Sequence, residues 1–197
     1  MLKSLLTINK TEHSALFRLA LPMMLSEIIF SLDTFLNNLF AARLGHEELA
    51  AQALLSLLFF TFSAGVWGFF SGFGVLMARH YGAKNSSNVA QILQQGICLS
   101  LLISVVESIF IWHAPSVFTL LGQDPKIAHL SQGYAHALAV GVFGLNLYSI
   151  SAEFLVATTK TKMIFWISII ETPLNILLKY GLTFGKLGLP KIGLAGL

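Results

Sequence analysis

Cysteine is almost missing from this 197-residue chain: Cys98 stands alone, so no internal disulfide can form and no cysteine-based metal motif exists. Charge is scarce as well. Only 11% of the residues are Asp, Glu, Lys or Arg, against about 25% in an average soluble domain. These shortages exclude a disulfide scaffold and a charged, disordered tail. What is there instead is apolar: 55% hydrophobic residues, 16 of them Phe, and a mean hydropathy of +0.76. A soluble domain of this size still leaves roughly a third of its potential surface in water, too much to accommodate that composition. The chain reads as an integral membrane protein, with the lipid bilayer as its first partner. Its pI near 9.1 is not a nucleic-acid signal, because the 12 Lys and Arg are scattered between apolar runs and mark loops.

A spanning helix needs about 20 mostly apolar residues. Five stretches qualify, at about 16–42, 49–78, 89–113, 127–156 and 163–184, and predict one all-α transmembrane domain. Turn-like breaks separate them at Arg43–His46, Gly82–Asn85, Gly122–Pro125 and Thr159–Lys162, and the glycine- and proline-rich 185–190 leads to no complete sixth span. Lys3, Lys10, Arg18, Arg79, Lys84, Lys160 and Lys162 fall on one side of that plan, seven of the 12 basic residues. The positive-inside rule places that side, and the N-terminus, in the cytoplasm of a plasma (inner) membrane. A cleaved signal peptide is not expected, since the first span exceeds an h-region of ~7–15 residues and carries two acids.

Polar residues inside the spans are the functional candidates, because buried charge in a bilayer is costly. At 100° per residue, Ser26, Glu27, Ser31, Asp33, Thr34, Asn37 and Asn38 share one sector of the first helix, opposite Leu25, Ile28, Ile29, Leu32, Phe35, Leu36, Leu39 and Phe40. Asp33 is ~22 Å into its span by the helical rise, too deep for its short stem to snorkel. In the fifth span Glu171, Asn175 and Lys179 recur at four-residue spacing near Pro173, which frees a carbonyl. Lys179 is ~24 Å deep. Two arrangements are open: an ion pair with Asp33 if the two helices are neighbours, or a Lys179 that snorkels outward. Glu107, in a stripe with Ser100 and Ser104, is expected to reach the membrane interface. The glycines Gly65, Gly68, Gly72 and Gly74 are expected to pack closely against a neighbouring helix. No pair among the six His has metal-ligand spacing backed by a third ligand, so neither a metal nor a cofactor is expected.

With those residues laid out, the chain resembles the multidrug and toxic compound extrusion (MATE) transporters. The resemblance runs through Leu19-Ala20-Leu21-Pro22, Leu32-Asp33-Thr34, Leu44-Gly45, Glu48-Leu49-Ala50-Ala51, Tyr81-Gly82-Ala83 and Gln95-Gly96, and then Pro173-Leu174-Asn175 with Gly185, Gly188, Pro190, Gly193 and Gly196. It implies helices one to five of a six-helix N-terminal lobe, with kinks at Pro22 and Pro173. It further implies a carboxylate at Asp33, networked with Asn175, that binds a coupling proton or sodium ion. Glu27, Thr34, Asn37, Asn38 and Glu171 are then candidates to line the cavity for a small organic substrate. Position 179 departs from the pattern, being Lys where Asn or Asp is usual, and Thr159 stands where Gly is common. The function expected is efflux of hydrophobic or cationic drugs, by a truncated or split half completed by a second polypeptide. A lipid-linked oligosaccharide flippase, drawing on Lys179 and Arg79, is the alternative, and an intramembrane enzyme the remote one.

Overall fold

The computed structural model describes residues 10–197; Lys3 of the basic leader lies outside them. Among the described residues the chain forms six α-helices and no strand: α1 (Lys10–Leu44), α2 (His46–Gly82), α3 (Ser86–Trp112), α4 (Ala114–Leu120), α5 (Pro125–Ala157) and α6 (Thr161–Phe184), followed by a 3-10 turn at Gly193–Gly196. Helices α2, α3, α5 and α6 are each long and apolar enough to cross a membrane. Helix α1 is long enough, at 35 residues, but its acids and asparagines make it more polar than the other four.

The helix ends follow local chemistry. Asn85 caps α3 by accepting from the Asn88 N–H at 3.2 Å, and Asp124 caps α5 by accepting from the Lys126 N–H at 2.8 Å, with Pro125 in the first turn. Helix α6 stops at Gly185, whose φ of +69° suits glycine and whose absent Cβ leaves room for Lys191, 2.8 Å from where that atom would sit. Thr159 takes the same left-handed conformation at φ +60° between α5 and α6, a position that a β-branched residue holds under strain. The short helix α4, absent from the expected spans, starts with Pro115 in its first turn and folds back on α5.

Helix α5 is the hub, packed along α2 and α3, while α1 lies mainly on α6 and secondarily on α2. One apolar cluster joins Leu55, Ile111, Phe118, Ala135 and Val142; another joins Phe70, Met77, Val89 and Ile150. Outside these, Leu57, Val75, Leu102, Val106, Val140, Ile170 and Leu177 are exposed, as a lipid-facing surface requires. Of Gly65, Gly68, Gly72 and Gly74 only Gly74 is packed, against Glu153. Gly65, Gly68 and Gly72 have open space where a Cβ would be, so the expected close helix contact is absent from their face.

Candidate functional site

Asp33 and Lys179 meet. Lys179 Nζ donates to Asp33 Oδ2 at 2.8 Å, with the side chains 13% and 18% exposed. The ion pair is thus realised, and the outward-snorkelling alternative is not. Asn37, one turn along α1, donates from Nδ2 to the same Oδ2 at 3.3 Å. Two acceptors on this seam, Asp33 Oδ1 and Asn37 Oδ1, are buried without a hydrogen-bond partner among the described residues. Further along the two helices Phe40, Tyr180 and Phe184 form an aromatic trio with ring centroids 5.3–5.9 Å apart. It packs α1 onto α6 beyond the pair.

Helix α1 starts six residues before the expected span, so Asp33 is ~34 Å from its first residue and Lys179 ~27 Å from the start of α6 by the helical rise. The pairing survives because neighbouring helices begin at different levels. The least exposed stripe of α1 runs through the half-buried Pro22, Ser26, Ile29, Asp33, Leu36 and Asn37 to the buried Phe40, which mixes residues from both sectors read in the sequence. Glu27, Ser31, Thr34 and Asn38 are exposed, and Thr34 spends its hydroxyl on the Phe30 carbonyl at 3.1 Å. The polar sector is wider than one packing seam, so only its Asp33–Asn37 edge is engaged. Asn175 is half-buried near the pair on α6, whereas Glu171 is exposed. Pro22 and Pro173 both lie inside continuous helices, and the Ser26 hydroxyl bonds the Pro22 carbonyl at 3.0 Å.

Glu107 corrects its expectation. It is wholly buried rather than at the interface, in a polar cluster between α2, α3 and α5. Ser63 Oγ donates to its Oε1, and Asn146 Nδ2 donates to its Oε2 at 2.9 Å and to Ser104 Oγ at 3.0 Å. A stem long enough to reach solvent reached two neighbouring helices instead, because both offered hydrogen-bonding groups at its level. Neither Ser63 nor Asn146 stood out in the sequence. Glu153, on α5 against Gly74, is legible in the sequence as an acid one turn from a span's end.

The MatE family profile matches residues 22–181. The chain belongs to the MatE family. It is 31% identical over 188 residues to the "Probable multidrug resistance protein NorM" of Synechocystis sp., covering 95% of this chain and 41% of that protein. It is also 31% identical over 188 residues to the protein of the same name from Bradyrhizobium diazoefficiens, covering 94% and 40%. Among solved structures it matches an outward-facing multidrug resistance MATE family transporter of the MOP superfamily, with a TM-score of 0.82 at 23% identity over 92% of this chain and 40% of that one. A MOP superfamily transporter from Pyrococcus furiosus, described as having a binding pocket of reverse polarity, matches with a TM-score of 0.82 at 24% identity and the same two coverages. The fold of this MatE chain is therefore that of an all-α, multi-pass membrane protein, and its relatives are transporters rather than enzymes. The chain spans about two fifths of the length of the relatives it matches.

Proposed function

We propose that this MatE chain is one helical bundle of an exporter of hydrophobic or cationic organic compounds, driven by inward proton or sodium flow. The five long helices are its spans, the N-terminus is cytoplasmic, and a second bundle, in the same or another polypeptide, completes the substrate cavity. The observation that carries this reading is the α1–α6 seam. A carboxylate and an amide present unpartnered acceptor oxygens there, in a chain whose relatives bear multidrug-resistance names. The Lys179 ammonium sits on Asp33 where a coupling cation would otherwise sit, so proton or sodium has to compete with a tethered cation. The exposed polar residues Glu27, Thr34 and Asn38 of α1 belong to the cavity side. The flippase reading is the weaker one, since it needs free cations and Lys179 is engaged by Asp33.

Accumulation of a fluorescent cationic dye in cells without other exporters tests the proposal. The chain alone should not lower accumulation; together with a second bundle it should, and Asp33→Asn should abolish the dependence on the ion gradient. Robust gradient-driven export by the chain alone would overturn the two-bundle reading. Unchanged gradient dependence in Asp33→Asn would overturn the coupling role.

A further inference from the structure

Among the described residues, Glu107 is the acid most completely removed from solvent, and the α1–α6 seam makes no use of it. Ser63, its partner, is near the midpoint of α2, so the cluster sits at mid-depth of the bundle. Apolar layers close it off on both sides: Leu55, Ile111 and Val142 towards one end, Phe70 and Ile150 towards the other. The charged and titratable groups of the elements packed around it are elsewhere. On α2 these are His46, Glu47 and Glu48 at one end and Arg79, His80 and Tyr81 at the other; on α3 the other such group is the exposed Cys98. On α5 they are Lys126, His129, Tyr134, His136, Tyr148 and Glu153, and α4 offers only His113 at its start. None of these bonds to Glu107.

The hydrogen bonds fix what the site can hold. The Ser104 hydroxyl donates to the Ser100 carbonyl at 2.7 Å, so its oxygen can only accept from Asn146. That orients the Asn146 amide with its N–H groups towards Glu107 Oε2, which therefore accepts. A sodium ion would require the amide oxygen to turn inward at the expense of the Ser104 bond. Oε1 faces a serine hydroxyl, which can accept as readily as it donates. An unpaired anion at this depth, with two neutral donors and no cation, carries a desolvation cost that one proton removes.

We propose that the Ser63–Ser104–Glu107–Asn146 cluster is a proton-binding site, separate from the α1–α6 seam, with the proton carried on Glu107 Oε1. Proton loss breaks the carboxyl O–H bond and hands the proton to water. Water reaches the site only when the apolar layers of α2, α3 and α5 part, so occupancy is tied to the packing of this bundle.

The test is infrared spectroscopy of the full chain in lipid vesicles at neutral pH, with carbon-13 in the glutamate carboxyls. The native chain should show a protonated-carboxyl C=O band that is absent from Glu107→Gln, shifted in Ser63→Ala and unchanged in Asp33→Asn. The Asp33→Asn arm separates failure here from failure of the coupling role assigned to the seam. Identical protonated-carboxyl regions in native chain and folded Glu107→Gln would overturn the proposal. If Glu107→Gln does not fold, a Ser63→Ala spectrum with no shifted band overturns it equally.

Discussion

Replacing Lys179 by Met removes the ammonium from Asp33 while keeping most of the apolar stem. Asp33 is then left with a single donor, Asn37 at 3.3 Å, and its Oδ1 already has no partner. Breaking a buried pair from one side typically costs ~3–5 kcal/mol. Because both side chains retain some exposure, 13% and 18%, the lower end applies, about 3 kcal/mol. For a chain of this length each kcal/mol moves Tm by roughly 2–4 °C, so Lys179→Met should melt ~6–12 °C below the native chain. Asp33→Asn alone should cost less, about 1–2 kcal/mol, because the orphaned Lys179 has a stem that can carry its charge outward. The double variant removes both charges and should recover much of the Lys179→Met loss, giving a coupling energy of at least ~2 kcal/mol, well above the ~0.5 kcal/mol scatter of independent sites. The assay is thermal unfolding in detergent for the four members of the cycle. Effects that add within about 0.5 kcal/mol would refute the pairing and with it the idea that a tethered cation competes with the coupling ion.

Thr159 at φ +60° is a β-branched residue in glycine's conformation, so Thr159→Gly should stabilise by about 1 kcal/mol in the same melting assay. Gly96→Ala places a Cβ 2.8 Å from Ile150 Cδ1 in a closed core and should cost ~1–3 kcal/mol, whereas Gly68→Ala meets nothing within 4 Å and should gain up to ~1 kcal/mol of helix propensity. At the loop end of α5, the Glu47 carboxylate holds the Lys126 ammonium by a 2.7 Å hydrogen bond and raises its pKa above the ordinary 10.5. The contact's contribution is fully present below the ordinary 10.5 and is lost as pH climbs through the higher folded value; an NMR titration should show the Lys126 pKa falling towards its ordinary value in Glu47→Gln and at high salt. In a Cys98→Ala background, new cysteines at Ser86 and Lys160 should be shielded from an impermeant reagent in intact cells, and one at Gln123 should react; equal reactivity would reverse the proposed topology.

The long helices were legible because hydropathy and helix-ending residues are local properties. Runs such as Leu49–Ala78 have no charge, Asn85 and Asp124 cap within three residues of where they stand, and Gly185 ends α6 by its own φ. Helix α4 was legible in principle from Pro115 but hidden by its length of seven residues. The seam of α1 was not legible. Periodicity finds which residues share a face, but it cannot choose between faces when a polar sector is wider than the contact. Ile29, Leu36 and Phe40 therefore joined the packed side, and Glu27, Thr34 and Asn38 were left on the free one.

The two acids that found partners deep inside the spans differ in the same way. Asp33 and Lys179 are 146 residues apart, yet each announces itself as a charge inside an apolar run, and comparable depth suggests that they meet once the family resemblance makes their helices neighbours. Glu107 announces itself equally well, but its partners are a serine and an asparagine 44 and 39 residues away. Neutral side chains of that kind are common in spans and satisfy themselves on the preceding turn, as Thr61, Ser149 and Ser151 do here. Nothing in the sequence separates Ser63, turned across to α3, from Thr61, turned back on Leu57. The distinction is made by helix rotation about the α2 axis, a tertiary quantity. A charged pair can therefore be read from one sequence, whereas a neutral cage around a single acid emerges only once the helices are placed.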